Sequence, residues 1–467
     1  MIPGVIMDYI DEMRKVIDLV MREGASFIDI RLERSVKNYF EIRNDVVEYL
    51  GMGVDEGAFI RVLYNNHVGH CVCSKINYRD ISNAALNALK IAKLSSKRVG
   101  GKKGFYELSS RTDRIQAYLR VDPSDISPEE KVNDLLNICK GAFGYSSSIK
   151  SVTVKYMDLK TNKQYYSSEE RFIEQEQNIV WLYVWISGRE VDIATSAREE
   201  LGSIEGYTIF KNNDPYELGS RVAERVVKQL GAKTPKGGRM PVVMAPNVVG
   251  VFAHEAFGHL AEADLALSGS IIMDRVGSKI GSEELTIIDD PTIPRGFGTM
   301  KYDDEGVEAI KVYLIKNGVI KGLMHSRETA LMTGTRPTGN ARAENYRFKP
   351  IIRMRNTIEP GSHEVEELFE GIKFGYYLKS FRGGQANLDG TFQVGIQEAY
   401  EIVNGEVGDP VRNMSICGNT LETLSLIDAI AKDFELEYGR CGKGQLAFVS
   451  DGGPHIRVRE IMVGGEA

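Results

Sequence analysis

Cysteine and histidine are scarce in this sequence, and no long apolar run occurs. Five cysteines, Cys71, Cys73, Cys139, Cys417 and Cys441, are scattered over 467 residues. No CxxC pair occurs, which excludes a ribbon-type zinc site and a thioredoxin-like redox motif. The odd number and wide spacing argue against a disulfide framework and fit a reducing cytoplasm. The longest uncharged apolar stretch of interest, residues 241–253, is too short to cross a bilayer and contains Pro246 and Asn247. The N-terminal MIPGVIMDYIDEMRKV is acidic and amphipathic, unlike a secretory signal. Basic charge is not in excess: 58 Lys and Arg face 65 Asp and Glu, for a net charge of −7. Phosphate backbones select basic surfaces, so this balance argues against a general nucleic-acid or membrane-surface binder. No internal repeat, coiled coil or low-complexity tract appears.

What is present is ordinary for a globular chain: 42% hydrophobic and 26% charged residues, enough for two to four domains. Glycine is high, at 47 residues, which points to many turns and a β-rich portion. Ile10, Met13, Ile17 and Val20 recur at helical spacing, and Gly24 follows as a stop. Ile28, Ile30 and Leu32 alternate with charge as in a half-buried strand. Strand-like runs follow at 39–50 and 58–64, then a helix at 81–92. The polar SSKRVGGKK at 95–103 marks a first boundary. Ser127-Pro128-Glu129-Glu130 opens the second unit as a helix start, strands are expected at 151–157 and 178–186, and Asp214-Pro215-Tyr216-Glu217 repeats the start signal. AKTPKGGR at 232–239 is the second link. Asn317-Gly318 and Asn404-Gly405 each read as a tight hairpin turn. The reading is an α+β chain in three parts: an N-terminal domain at 1–98, a middle domain at 104–231, and a β-rich C-terminal domain at 240–467 that carries the helix described next.

That helix lies in VVGVFAHEAFGHLAEAD, residues 248–264, and contains His254-Glu255-Ala256-Phe257-Gly258-His259. With only seven histidines in the chain, a chance HExxxH is expected at a frequency on the order of 0.01. Two neutral imidazoles suit Zn²⁺, and a glutamate beside the first can take a proton from an acidified water attacking a carbonyl. The spacing is one residue longer than HExxH. In a regular helix, residues four apart share a face within about 40°, whereas residues five apart diverge by about 140°. A π turn would absorb the extra residue, and Gly258 would ease it. A catalytic zinc needs a third ligand and an open position. Glu262, Asp264, His325, His363, His455 and Cys441 are candidates that spacing does not rank, although Cys441 stands in a glycine-framed segment, YGRCGKGQ, read as a turn-rich loop. Tyr346, Arg342, His325, His363 and His455 are candidates to stabilise an oxyanion. His67 and His70 read as a hairpin turn rather than a second metal site. Arg336, Arg342, Arg347, Arg353 and Arg355 read as salt bridges and solvated strand faces rather than a docking surface.

Together these residues resemble the TldD/PmbA family, in particular its catalytic TldD-type members. The resemblance rests on residues 245–264, on TGNARAENYRFKPIIRMRNT at 338–357, on the Gly383-Gly384 tract running to FQVG, and on CGKGQ at 441–445. It implies a cytoplasmic zinc metallopeptidase that cleaves unfolded or extended peptides. It implies His254, His259 and Cys441 as metal ligands and Glu255 as the catalytic glutamate. It also implies a dimer around an enclosed cavity, either a homodimer or a heterodimer with a PmbA/TldE-type subunit, and recognition of substrate by backbone pairing with a strand edge. The alternatives are a non-catalytic zinc-containing subunit or regulator, in keeping with the family's historical label as a modulator of DNA gyrase, and a zinc hydrolase of small molecules.

Overall fold

The computed structural model describes residues 9–97 and 104–465. The expected link at 95–103 therefore lies largely outside the described residues. Helix α1 (Ile10–Arg22) buries Met13, Val16 and Val20. Strands β1 (Phe27–Arg43), β2 (Val46–Tyr64) and β3 (His67–Cys73) form a meander, and α2 (Tyr78–Ser95) follows, its start capped by the Asn77 side chain. The run at 39–50 is thus not one strand. Asn44 and Asp45, with φ of 50° and 65°, turn the chain tightly within it. Asparagine and aspartate tolerate this left-handed conformation better than most side chains do. The turn before His67 is made the same way by Asn65 and Asn66.

The middle unit supplies β4 (Arg111–Ile115), α3 (Pro128–Tyr145), β5 (Ile149–Ser167), β6 (Arg171–Glu190), β7 (Ile193–Ser203) and α4 (Pro215–Leu230). Ser127 and Asp214 cap α3 and α4 through the amides of Glu130 and Glu217. The units at 1–98 and 104–231 do not keep separate sheets. β1 and β5 pair from Asp29–Ser167 to Arg43–Thr153, so the strand order is β3-β2-β1-β5-β6-β4, with β7 also on β6. On one face Ile28, Ile30 and Leu32 pack with residues of α1 and α2, and further along β1 Phe40 and Ile42 pack with residues of α3 and α4. The other face carries charge, and it is buried at the end of β1 that holds Asp29, Arg31 and Glu33. There Arg61 bonds Asp29 and Glu305, Lys163 bonds Asp304, and Arg31 bonds the Asn345 and Phe348 carbonyls. This face is the seat of the C-terminal part.

The C-terminal part holds β8 (Gly238–Met244), β9 (Ile287–Asp289), β10 (Val312–Lys316), β11 (Val319–Ile320), the short pair β12 (Ala341–Arg342) and β13 (Ile351–Ile352), and β14 (Asn356–Ile358). It continues with β15 (Phe374–Ala386), β16 (Thr391–Val403), β17 (Glu406–Val411), β18 (Met414–Asn419), β19 (Ile427–Ile430), β20 (Glu435–Gly442), β21 (Leu446–Gly453) and β22 (Ile456–Gly465). One sheet runs β15-β8-β22-β18-β16-β17, with β19 on β22, and another runs β11-β10-β9-β14-β21-β20. The hairpins at Asn317-Gly318 and Asn404-Gly405 form as expected, with positive φ at all four residues.

Strand β8 runs into helix α5 (Pro246–Ala253), whose residues are almost all buried. The helix lies directly on β21. A Cβ on Gly250 would stand 2.9 Å from the Gly452 amide nitrogen and 3.0 Å from the Asp451 carbonyl carbon. Backbone cannot yield as a flexible side chain does, so Gly250→Ala should cost about 1–3 kcal/mol by overpacking. A denaturant melt would read this as a lower midpoint at unchanged slope.

Candidate metal centre

Helix α5 does not continue regularly into the histidines. Residues His254–Gly258 form a π turn and His259–Ala261 a 3-10 turn. The wider turn absorbs the fifth residue between the histidines, as their spacing requires. The Thr420 hydroxyl donates to the Ala256 carbonyl at 2.5 Å, an outside partner for a carbonyl of the irregular turn. The two rings stand 4.9 Å apart between centroids, nearly perpendicular.

Cys441 meets them from far along the chain. It lies near the end of β20 and pairs in register with Ala447 of β21, so it sits in a strand rather than in a loop. Its Sγ lies 3.1 Å from His254 Nε2 and 3.7 Å from His259 Nε2. The three candidate ligand atoms all lie within 4.8 Å of one another. Around one tetrahedral Zn²⁺, nitrogen and sulfur ligands stand about 3.5 Å apart. The spacing and the donor set therefore fit a single zinc ion with one position left open.

The far nitrogens of both rings are also held. His254 Nδ1 contacts Asp451 Oδ1 at 3.0 Å, and His259 Nδ1 contacts Glu262 Oε2 at 2.9 Å. These contacts aim both Nε2 atoms at Cys441. Glu262 thus stands behind the imidazole instead of beside the thiol, and Asp264 is paired with Lys443. Burial pushes the Cys441 thiol up, yet the two imidazoles, His254 foremost, bring it down to about 5. Burial lowers the basicity of the rings as well, but Asp451 and Cys441 hold His254 well above the ordinary range. His259 is likewise raised to about 9 by Cys441 and Glu262, against burial.

Glu255 remains separate from the cluster, with Oε2 4.0 Å from His259 Nε2 and its side chain 14% exposed. Burial raises its pKa, against the pull of the two histidines. Gly384 on β15 makes room for it, since a Cβ there would lie 2.8 Å from Glu255 Cγ.

The other candidates are engaged elsewhere. His325 is buried against Thr329, and burial brings it down to about 4. His363 pairs with Glu284 and Glu367, and His455 pairs with Asp433 and stacks on Tyr377. His67 contacts the Asn65 carbonyl beside its turn, and His70 stacks on Phe59. Tyr346 and Arg347 reach Asp55 on β2. Three of the five tract arginines are buried, not solvated. Arg355 bonds Asp289, Arg342 takes the Phe448 carbonyl, and Arg353 takes the carbonyls of Cys441 and Gln445 at 2.6 and 2.8 Å. Arg336 is exposed. Sequence reasoning missed Asp451, Lys443 and Arg353 as neighbours of the site. Only the closeness of Lys443 to Cys441 in CGKGQ could have signalled any of them. A cleft of about 810 Å³, lined by Tyr39, Tyr49, Leu159, Arg342, Arg440 and Phe448 among others, lies between the first sheet and the β20–β21 hairpin.

A broken helix and a distant strand that bring two imidazoles and a thiolate together within an α+β fold define a candidate metalloprotein. Comparison with known proteins is specific. Models of the PmbA/TldA metallopeptidase domain 1, central domain and C-terminal domain match residues 28–92, 121–230 and 237–465. A zinc metalloprotease TldD homolog of Saccharolobus solfataricus is 42% identical over 97% of this chain and 100% of its own length. A metalloprotease of Methanothermobacter thermautotrophicus is 37% identical over 95% of this chain and 97% of its own. The chain belongs to the PmbA/TldD metallopeptidase family. The solved structure of TldE from Thermococcus kodakarensis shares the fold, with a TM-score of 0.80 at 21% identity, over 97% of this chain and 100% of that one.

Proposed function

We propose that the protein is a zinc-dependent peptidase acting on unfolded or extended polypeptides. The observation that carries this reading is the convergence of His254, His259 and Cys441 beside a carboxylate, Glu255, that joins no ligand pair closely. A structural site has no use for such a carboxylate. Zinc held by the three residues would supply an acidified water and an electrophile for the scissile carbonyl. Glu255 would take the water's proton at its carboxylate and pass it to the leaving amine. Its burial supports this work, because a raised pKa makes the carboxylate a stronger base. Extended substrates suit the surroundings. β20 ends its sheet at Cys441, and β15 beyond Leu378 pairs only with β16 among the described strands. Such edges take an extended chain by backbone hydrogen bonds, with little regard for sequence.

We place the protein in the cytoplasm, on the free thiols of all five cysteines. No described helix is long and apolar enough to cross a membrane. We further propose a dimer, with a second copy or with a TldE-type subunit. The exposed Val46, Leu50, Met52 and Val54 along β2 support a protein partner.

The test is metal content together with cleavage of a permanently unfolded protein. One zinc per chain with cleavage is expected. Zinc without cleavage, alone and with a TldE-type subunit added, would favour the non-catalytic reading. The pH dependence of zinc binding is a second check. His259, raised to about 9, carries a proton at neutral pH that zinc must displace. Affinity should therefore rise between pH 6 and 8, by up to about tenfold per unit for each proton released. Calorimetry in buffers of different ionisation enthalpy counts those protons, and a flat profile would contradict the assignment.

A further inference from the structure

His254 and His259 lie 187 and 182 residues from Cys441 in sequence, so something other than chain connectivity must hold them at ligand spacing. The β20–β21 hairpin touches the broken helix on both sides of the cluster. On one side Asp451 of β21 contacts His254 Nδ1. On the other side the contact runs through Lys443, which sits in the turn two residues past Cys441. Its Nζ lies 3.1 Å from Glu262 Oε2, 2.8 Å from both Asp264 oxygens and 3.3 Å from the Ile352 carbonyl. The same Glu262 oxygen contacts His259 Nδ1 at 2.9 Å. Glu262 is fully buried and the Lys443 side chain only 14% exposed. An ion pair in that setting is poorly screened and geometrically fixed, unlike one on the surface. Arg353 grips the hairpin backbone on either side of Lys443, at the carbonyls of Cys441 and Gln445.

We propose that Lys443 is a positioning residue for the metal centre: through Glu262 it locks the Cys441 hairpin to His259 so that thiolate and imidazole stand ready for zinc. The inference rests on the ligand reading above and adds to it a route by which the two ligand-bearing segments are held in register. Carboxylates behind metal-binding imidazoles commonly govern affinity by 10–100-fold. Here the carboxylate is itself held by a lysine from the third ligand's own turn.

The experiment measures Zn²⁺ affinity by chelator competition and the Co²⁺ absorption spectrum of the full chain, with a thermal melt of each metal-free variant. Lys443→Met should weaken zinc binding by about 10–100-fold and change the Co²⁺ bands that report thiolate coordination, and Lys443→Arg should recover part of the loss. Asp264→Asn should change little, because Lys443 keeps Glu262. The double variant Lys443→Met/Glu262→Gln should cost no more than Glu262→Gln alone, since both act along one link. A purely structural lysine would lower the melting temperature and leave the Co²⁺ spectrum unchanged. Wild-type affinity and spectrum in Lys443→Met, or additive losses in the double variant, would overturn the proposal. If Lys443→Met does not fold, the isosteric Glu262→Gln probes the link from its other end, and wild-type affinity and spectrum there would overturn it equally. The ligand reading fails separately, through wild-type protein that takes no zinc or Cys441→Ala that binds it undiminished; either result removes the positioning role as well.

Discussion

Glu255→Gln is expected to bind zinc as the wild type does and to cleave unfolded protein about 10²–10⁴-fold more slowly. Glutamine keeps the size and shape of the side chain, so the close fit against Gly384 survives. It cannot accept the proton of the attacking water. Glu255 lies outside the three-residue cluster, its nearest approach to a ligand nitrogen being 4.0 Å. Metal content should therefore be untouched. The reading is strongest when both quantities are measured on one preparation. Loss of zinc with loss of activity would make Glu255 a ligand, and full activity would remove it from the mechanism.

Cys441→Ala should have the larger effect on the metal. Zinc sites in small peptides bind with roughly 10–16 kcal/mol, so one of four ligands accounts for about 3 kcal/mol, or at least about 100-fold in affinity. The two imidazoles would remain held by Asp451 and Glu262, but two neutral nitrogens without a thiolate make a poor zinc site. The stabilisation that bound metal confers on the fold should vanish with it. Melting the variant with and without excess zinc measures this directly. The metal-induced shift seen in the wild type should be absent, and wild-type protein stripped by a chelator should melt near the variant. Retention of stoichiometric zinc would mean that another residue completes the site.

How much of this was legible in advance depends on distance along the chain. His254, Glu255 and His259 sit within six residues, and their misfit to a regular helix foretells the π turn. Cys441 could be assigned only through family resemblance, because nothing in its own surroundings announces the histidines. Its glycines misled: of Gly439, Gly442 and Gly444, only Gly444 takes a left-handed φ, and the other two lie in β20. Asn44-Asp45 hid a hairpin turn because it lacks the glycine that usually marks one. Asp451 and Arg353 act across strands that only the folded topology brings together, and so does the pairing of Lys443 with Glu262, although each of these two is close in sequence to a ligand. The charged tract at 336–355 looked like surface because arginine usually is. The burial of Arg342, Arg353 and Arg355 goes with backbone carbonyls and one aspartate, Asp289, that no local pattern reveals.

The continuous sheet formed by β1 and β5 bears on how the chain is made. Ile28 bonds the Ser168 hydroxyl across 140 residues of sequence, so during synthesis β1 leaves the ribosome long before its neighbour exists. The meander with α1 and α2 must wait with one backbone edge open, and an open edge is where strands of different molecules join by mistake. High contact order of this kind slows folding. Refolding yield should accordingly fall as protein concentration rises, long before the metal centre has any chance to form.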